Sequence, residues 1–403
     1  MLERLSYSQI RLLAQRMGIT IKANAKKYDV LELVIMHDCD IPIALSTMTI
    51  NELRAMGSCQ RPAIRLKNRA ALIRKLTISY EEYSEGRVLY ATRLGTFYSG
   101  DSTKLLSGDL KRELIGKINL ILTSPPFPLN QKKKYGNRQG EKYKEWFIKL
   151  AECYYPLLAN DGSVVIEIGN AWQPGRPVQS LLHLKALIGF VENHNAGFRL
   201  CQQFVSYNPS RLPSPAQWVT IERIRTIDSF THVWWMAKND RPKAKNERVL
   251  RPYSKSMINL LERGKFNAGR RPSEHVISAR GFLKKNRGSI MPNVIELEQY
   301  DPLRPLRLPQ NMLRFSNTKS NDEYHRQCRK FGLTPHPARM PPELAAFFIA
   351  FLTDPGDIVL DPFAGSNTTG YVAERMGRQW KAIEIDRVYG EHSKIRFGLN
   401  PKI

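Results

Sequence analysis

The sequence predicts an α/β fold: a mostly parallel sheet with an antiparallel edge strand, interrupted by a basic insert and preceded by a small all-α module. Three observations predict it. From Arg87 onward, β-branched apolar runs alternate with helical stretches, the rhythm of a parallel sheet. Between 241 and 330 that rhythm gives way to basic, Pro- and Gly-punctuated chain, and the first 80 residues repeat a short helical pattern. With 403 residues the chain exceeds one compact domain, so two or three units sharing one large core are expected.

The N-terminal module (1–80) repeats loosely. LSYSQIRLLA from Leu5 and MTINELRAM from Met48 bring Arg11 and Arg54 into register, and each is followed by a basic group and a second apolar stretch, KKYDVLELVI and KNRAALIRKL. Ser6 and Thr49 stand where helix N-caps belong, and Glu52 completes a capping-box pattern with Thr49. Residues 87–240 hold the strand-like runs VLYATRLGTFYSGD, INLILTSPPF and GSVVIEIGNAW, with the helical EKYKEWFIKLAECYYPLLAN between them. FRLCQQFVSYN and THVWWMAKN read as two antiparallel neighbours at the sheet's edge, with Trp234 and Trp235 as sheet core. The insert (241–330) is basic: from Lys238 to Arg287 there are fifteen Lys or Arg against four acids. Residues 331–403 resume the rhythm with the helix PPELAAFFIAFLT and the strands DIVLDPF and QWKAIEID.

Composition narrows the partner. Sixty-two Lys and Arg against 37 Asp and Glu leave a net charge of +25, which favours a polyanion, above all nucleic acid. A membrane is disfavoured, because no apolar run approaches the ~18–20 residues of a span. The N-terminal stretch carries charges and has no small-residue cleavage site, unlike a signal peptide. Five scattered cysteines without a C-x-x-C suggest a reducing, cytoplasmic compartment and no metal site, and the histidines show no ligand spacing.

Two stretches carry chemistry. Thr123-Ser124-Pro125-Pro126-Phe127 follows the strand INLIL. Two prolines cannot continue a ladder, so the chain must leave the sheet at its carboxyl end, where α/β ligand sites form. The turn presents fixed carbonyl acceptors, a hydroxyl and an aromatic plane, a set suited to a planar group bearing an NH2. A plain Pro-Pro turn closing the strand is the alternative. The second stretch, Asp361-Pro362-Phe363-Ala364-Gly365-Ser366-Asn367-Thr368-Thr369-Gly370, is a small-residue turn from strand to helix that lets backbone N–H groups approach a ligand. Tyr371 after Gly370 rules out a phosphate loop, and there is no G-x-G-x-x-G. Glu384 ends the next strand, where an acid can hold ribose hydroxyls, so a nucleoside-containing cofactor is implied.

SPPF together with DPFAGSNTTG resembles the amino-group DNA methyltransferases that use S-adenosylmethionine. The order of the two motifs looks like their β arrangement, and the leading serine looks like the cytosine-N4 branch. TSPPFPLNQKKKYGN, LPSPAQWVTIERIRTIDSFTHVWWMAKNDRPKA and PHPARMPPELAAFFIAFLTDPGDIVLDPFAGSNTTG are similar to PvuII-type modification enzymes over most of residues 90 to 400. The resemblance implies a Rossmann-like methyltransferase fold, duplex DNA as substrate, base flipping with direct transfer, and a setting in restriction–modification with a cognate endonuclease; the oligomeric state stays open. It implies that Ser124 and Pro125, with Pro126 shaping the turn, accept hydrogen bonds from the target amine while Phe127 stacks on the base. It implies cofactor contacts from Asp101, Thr123, the segment His336-Pro337-Ala338-Arg339, the turn Asp361 to Thr369, and Glu384. Asn367 departs from the pattern, since many relatives carry Gly there. A carbon-5 enzyme would need a Pro-Cys nucleophile, and the chain has no such pair.

Lys132, Lys133 and Lys134 read as a loop closing over phosphate. Arg270, Arg271, Lys284 and Lys285, in the insert, read as contacts to phosphates or guanine edges. The N-terminal repeats resemble SAP-type DNA-binding modules in tandem, with a packing module as the alternative. Among competing functions, adenine-N6 transfer presents an NH2 to the same acceptors, but adenine enzymes usually carry Asp or Asn at the position of Ser124. A catalytically silent DNA-binding protein is opposed by the intact Asp361, Glu384 and SPPF. An RNA methyltransferase is opposed by the recognition insert and the SAP-like repeats.

Overall fold

The computed structural model describes residues 5–21, 25–27, 30, 34, 41–58, 69–70, 73, 76, 87–127, 140–173, 175–208, 211–279, 283–296 and 323–401. Helices α1 (Tyr7–Arg16), α2 (Ile41–Thr47) and α3 (Ile50–Ser58) turn their apolar sides onto one another. Leu5, Ile10, Leu13, Leu45, Met48, Leu53 and Met56 are fully buried there. Both expected caps form. Ser6 Oγ accepts the Gln9 N–H at 3.3 Å while Gln9 Oε1 accepts the Ser6 N–H at 2.7 Å. Thr49 and Glu52 repeat the exchange at 3.3 and 2.6 Å. Among the described residues this core is separate from those of the sheet, so one core shared by all units is not what forms.

One sheet organises the rest. Its strands are β1 (Arg87–Ala91), β2 (Gly95–Ser99), β3 (Ile118–Thr123), β4 (Leu158–Ile168), β5 (Arg199–Tyr207), β6 (Phe230–Ala237), β7 (Val294–Glu296), β8 (Ile358–Asp361) and β9 (Gln379–Glu384). The spatial order is β1-β2-β9-β8-β3-β4-β6-β5-β7. The run β2-β9-β8-β3-β4 is parallel, and β6 lies antiparallel to both β4 and β5. The helices are α4 (Ser102–Ser107), α5 (Asp109–Leu114), α6 (Gly140–Tyr154), α7 (Leu182–Val191), α8 (Lys255–Arg263), α9 (Glu323–Lys330), α10 (Pro342–Leu352), α11 (Thr368–Arg375) and α12 (Arg387–Ser393).

Strand alternation distributes the core to two faces. Leu120, Leu122, Val359 and Trp235 join α10 and α11 on one face. Ile121, Leu360, Val164 and Trp234 join α6 and α7 on the other. The adjacent tryptophans thus serve opposite cores. Helix α10 is buried from Glu343 to Leu352, as an apolar sequence without a polar stripe requires.

Two expectations change. VLYATRLGTFYSGD is a hairpin, β1 and β2, rather than one strand, because the chain reverses at Thr92, whose N–H donates to the Gly95 carbonyl at 2.8 Å. The β5–β6 pair is antiparallel as expected but does not form the edge. The insert returns β7 to the outside of β5, pairing Val205 with Val294 and Tyr207 with Glu296, which covers part of an otherwise open ladder. The insert is also anchored to the body: Lys243 Nζ lies 2.8 Å from Asp357, Arg248 Nη1 donates to the Thr353 carbonyl at 2.6 Å, and Val249 is buried. Some of its positive charge is therefore spent inside the fold.

Phe348 is fully buried, with its ring 5.1 Å from Phe204 and 5.0 Å from Phe347. Phe348→Ala is expected to lower stability by about 3–5 kcal/mol in urea unfolding. A loss of under about 1 kcal/mol would mean that this face of the sheet is not the packed core described.

Candidate active site

The SPPF turn and the glycine turn leave the carboxyl ends of neighbouring parallel strands, β3 and β8, and open onto one cavity of about 470 Å³. The catalytic candidates Ser124, Pro125, Pro126 and Phe127 line it. So do Asp101, His336, Pro337, Ala338 and Arg339, together with Asp361 to Ser366, Thr368, Thr369 and Glu384. The sequence candidates from five separate segments thus converge.

Thr123 and Asn367 stand behind the wall instead. Thr123 is fully buried and donates its hydroxyl to Asp361 Oδ1 at 2.8 Å, and the Phe363 N–H donates to the same oxygen at 3.1 Å. Asn367 is also fully buried, at φ 54° and ψ 44°. Its Oδ1 accepts the Gly370 N–H at 3.1 Å, capping α11, and its Nδ2 donates to the Tyr90 hydroxyl at 2.9 Å. That explains the departure from Gly: asparagine tolerates the left-handed conformation and adds a cap that glycine lacks. Gly365 has φ +50°, and a Cβ there would sit 3.1 Å from the His336 ring, so the turn and the His336 segment close on each other only through glycine.

Two carboxyls dominate the electrostatics. Burial pushes Asp361 up to about 6, opposed by hydrogen bonds from Thr369, Thr123 and Phe363. Burial pushes Glu384 up to about 7, although its oxygens accept the Asp386 and Gly365 N–H groups at 2.9 and 2.8 Å. Asp101 caps α4, accepting from the Thr103 and Lys104 N–H groups at 2.8 and 3.3 Å, and still reaches the cavity wall. Burial pulls His336 down to about 4, opposed by the Ala338 backbone, so its ring is neutral near pH 7; its Nδ1 lies against both the carbonyl and the N–H of Ala338.

The far end of the cavity holds residues that sequence reasoning missed: Glu167, Ser206, Asn208, Arg211, Phe230 and Thr231. Glu167 is 5% exposed, accepts the Thr231 hydroxyl at 3.0 Å, and is pushed up to about 7 by burial. Arg211 Nη1 donates to the Phe230 carbonyl at 2.8 Å. A carboxylate inside the apolar run VVIEIG was the available signal. Gly169, two residues on, makes room for Phe127, whose ring would lie 2.7 Å from a Cβ there.

Lys132, Lys133 and Lys134 lie outside the described residues. Arg270 ends the first strand of a short hairpin (Gly269–Arg270 with Val276–Ile277) and Arg271 begins its loop; Arg270 pairs with Glu274 at 3.2 Å and Arg271 donates to the Asn267 carbonyl at 3.0 Å. Lys284 and Lys285 are exposed. None of these four lines the cavity. The rings of His183 and His232 pack 4.9 Å apart within the fold.

Residues 118–394 match the DNA methylase family. The chain belongs to that family. This DNA methylase is 40% identical over 310 residues to the type II methyltransferase M.PvuII of Proteus hauseri, covering 76% of its own length and 85% of that relative. It is 24% identical over 301 residues to M.BglII of Bacillus subtilis, covering 73% of its own length and 67% of that relative. Its fold matches the solved structure of PvuII DNA methyltransferase (cytosine-N4-specific) with a TM-score of 0.58 at 33% identity, covering 79% of this chain and 92% of that one. The family match begins at Ile118, so the N-terminal helices lie outside it.

The raised carboxyls set a pH dependence. With folded values of about 6 and 7 against ordinary values of 3.8 and 4.5, Asp361 and Glu384 bind protons more tightly in the folded state. Their contribution is fully present below the ordinary values and is lost as pH rises through the folded ones. Removing the Glu384 share with Glu384→Gln is expected to make the slope of denaturant stability against pH less negative than that of the wild type between about pH 4.5 and pH 7. An unchanged slope in the variant would place the titration elsewhere.

Proposed function

We propose that this methylase is a site-specific DNA methyltransferase that moves a methyl group from S-adenosylmethionine to the exocyclic N4 amine of cytosine in duplex DNA. The observation that carries this reading is the meeting of a serine-led SPPF turn and a glycine turn in one cavity, in a chain 40% identical to M.PvuII. The setting is restriction–modification, alongside a cognate endonuclease in a bacterial cytoplasm. Among the described residues no helix is long and apolar enough to cross a membrane.

The residues fit the cofactor. The Gly365 turn keeps its backbone bare at the cavity wall, where a Cβ would sit only 3.1 Å from His336, and Glu384 presents a half-buried carboxylate beside it. In this reading the Asp361–Thr369 turn, the N-terminus of α11 and the His336–Arg339 segment hold the methionine end. Glu384 accepts from the ribose hydroxyls, and Asp101 faces the adenine side. When bound, S-adenosylmethionine supplies an electrophilic methyl group on a sulfonium.

The other end of the cavity takes the base. Ser124 Oγ and the Pro125 carbonyl accept the two hydrogens of the flipped base's amine, which concentrates lone-pair density on its nitrogen, and Phe127 stacks on the ring. Methyl transfer to the nitrogen releases one of those two hydrogens as a proton, for which Glu167, lining the same cavity and pushed up to about 7 by burial, is the candidate acceptor. No covalent bond between enzyme and base is needed.

Nucleoside mass spectrometry after incubation of DNA with the protein and isotope-labelled S-adenosylmethionine is expected to place label in N4-methylcytosine. Ser124→Ala should lower the rate by about 100-fold or more while leaving cofactor affinity within about threefold. Label in N6-methyladenine would overturn the cytosine reading. Undiminished activity of the variant would overturn the role of Ser124.

The N-terminal helices, with two capping boxes and a core of their own, are read as an added DNA-binding arm. Deleting residues 1–80 is then expected to weaken duplex binding and make its salt dependence shallower. An unchanged slope with an altered mass in solution would assign the module to assembly instead.

A further inference from the structure

The last turn of the fold contains a residue that no motif marked. Arg396 lies on the 3-10 turn Lys394–Phe397, which follows α12. Its Nε donates to the Ser366 carbonyl at 2.6 Å, and its Nη2 donates to Ser366 Oγ and to Thr368 Oγ1, each at 3.1 Å. Ser366 and Thr368 flank the left-handed Asn367 and line the cavity. One side chain therefore grips both shoulders of the turn from behind.

The guanidinium has a second partner. Its carbon lies 4.3 Å from the ring centroid of Tyr324, a residue 4% exposed on α9, the last described helix of the basic insert. Arg339, from the cavity wall, approaches the same ring at 5.5 Å. A planar fork that forms several directed hydrogen bonds while stacking on an aromatic face is specific to arginine; a lysine ammonium reproduces the charge but not the geometry.

We propose that Arg396 is the positioning residue of the cofactor turn: it fixes Ser366–Thr368 in the binding shape and, through Tyr324, ties that turn to the end of the recognition insert. The proposal rests on the reading of the cavity as an S-adenosylmethionine site. It concerns binding rather than transfer, because Arg396 acts from behind the wall and does not touch the base end of the cavity. A residue with this role changes how well the cofactor is held and leaves the rate of transfer from the loaded enzyme nearly intact.

The test uses the full chain with Arg396→Met, Arg396→Lys and Tyr324→Leu. It combines titration calorimetry with S-adenosylmethionine, thermal melting, duplex binding without cofactor, and steady-state kinetics. Arg396→Met is expected to raise Kd and KM for the cofactor by about 10- to 100-fold, with kcat at saturation within about threefold of wild type and duplex affinity unchanged. Arg396→Lys should recover part of the affinity. Tyr324→Leu leaves the Arg396 bonds to Ser366 and Thr368 in place and should raise Kd by about three- to tenfold.

Wild-type affinity in Arg396→Met would overturn the proposal, as would a fall in kcat at unchanged KM. If Arg396→Met fails to fold, Arg396→Lys and Tyr324→Leu decide, and wild-type cofactor affinity in both would overturn it. Failure of the wild-type protein itself to bind S-adenosylmethionine would instead overturn the reading of the cavity, and this proposal with it.

Discussion

The hydrogen bond from the Thr123 hydroxyl to the Asp361 carboxylate joins positions 238 residues apart, at the ends of two adjacent parallel strands. The site depends on that junction. Strand β3 delivers the proline turn and β8 delivers the glycine turn, and their pairing of Val359 with Leu120 and Leu360 with Ile121 makes both turns emerge at the same level. A shift by one residue would send Asp361 to the other face and separate the two ends of the cavity. The junction also carries a cost, since burying Asp361 raises its pKa, and three hydrogen bonds only partly offset that. The apolar packing of α10 and α11 beneath the strands supplies the compensation.

Much of this was legible in the sequence because it rests on local rules. Two prolines must end a strand, a small-residue turn before a helix must bring backbone N–H groups near a ligand, and Ser6 and Thr49 must cap. The split of Trp234 and Trp235 between two cores follows from strand alternation. What escaped was nonlocal. A reversal at Thr92 divides a run that reads as one strand, because its turn contains no Pro, Gly or Asn before Gly95. The three residues of β7 have no periodicity of their own and become a strand only because β5 offers an open edge. Glu167 could be seen as an anomaly in an apolar run, but its partner Thr231 lies on another strand. Arg396 looked like one more cation in a chain with many.

Net charge is therefore a coarse guide here. Lys243, Arg248 and Arg396 are engaged by Asp357, by backbone carbonyls and by hydroxyls of the fold itself. The sequence counts them with every other cation, and only the structure separates them. Asn367 teaches the converse lesson, since a departure from a familiar pattern proved to add a side-chain helix cap in a left-handed backbone conformation.

The anchoring of the insert bears on how such enzymes diversify. It leaves the body through salt bridges at Lys243, returns as a strand on β5, and rejoins the fold at α9, whose Tyr324 lies against Arg396. The chemistry is assembled by strands on either side of that excursion. An evolving lineage can thus trade the middle of the insert for another sequence while the cavity walls are inherited intact, provided that the exchange is made inside those three moorings.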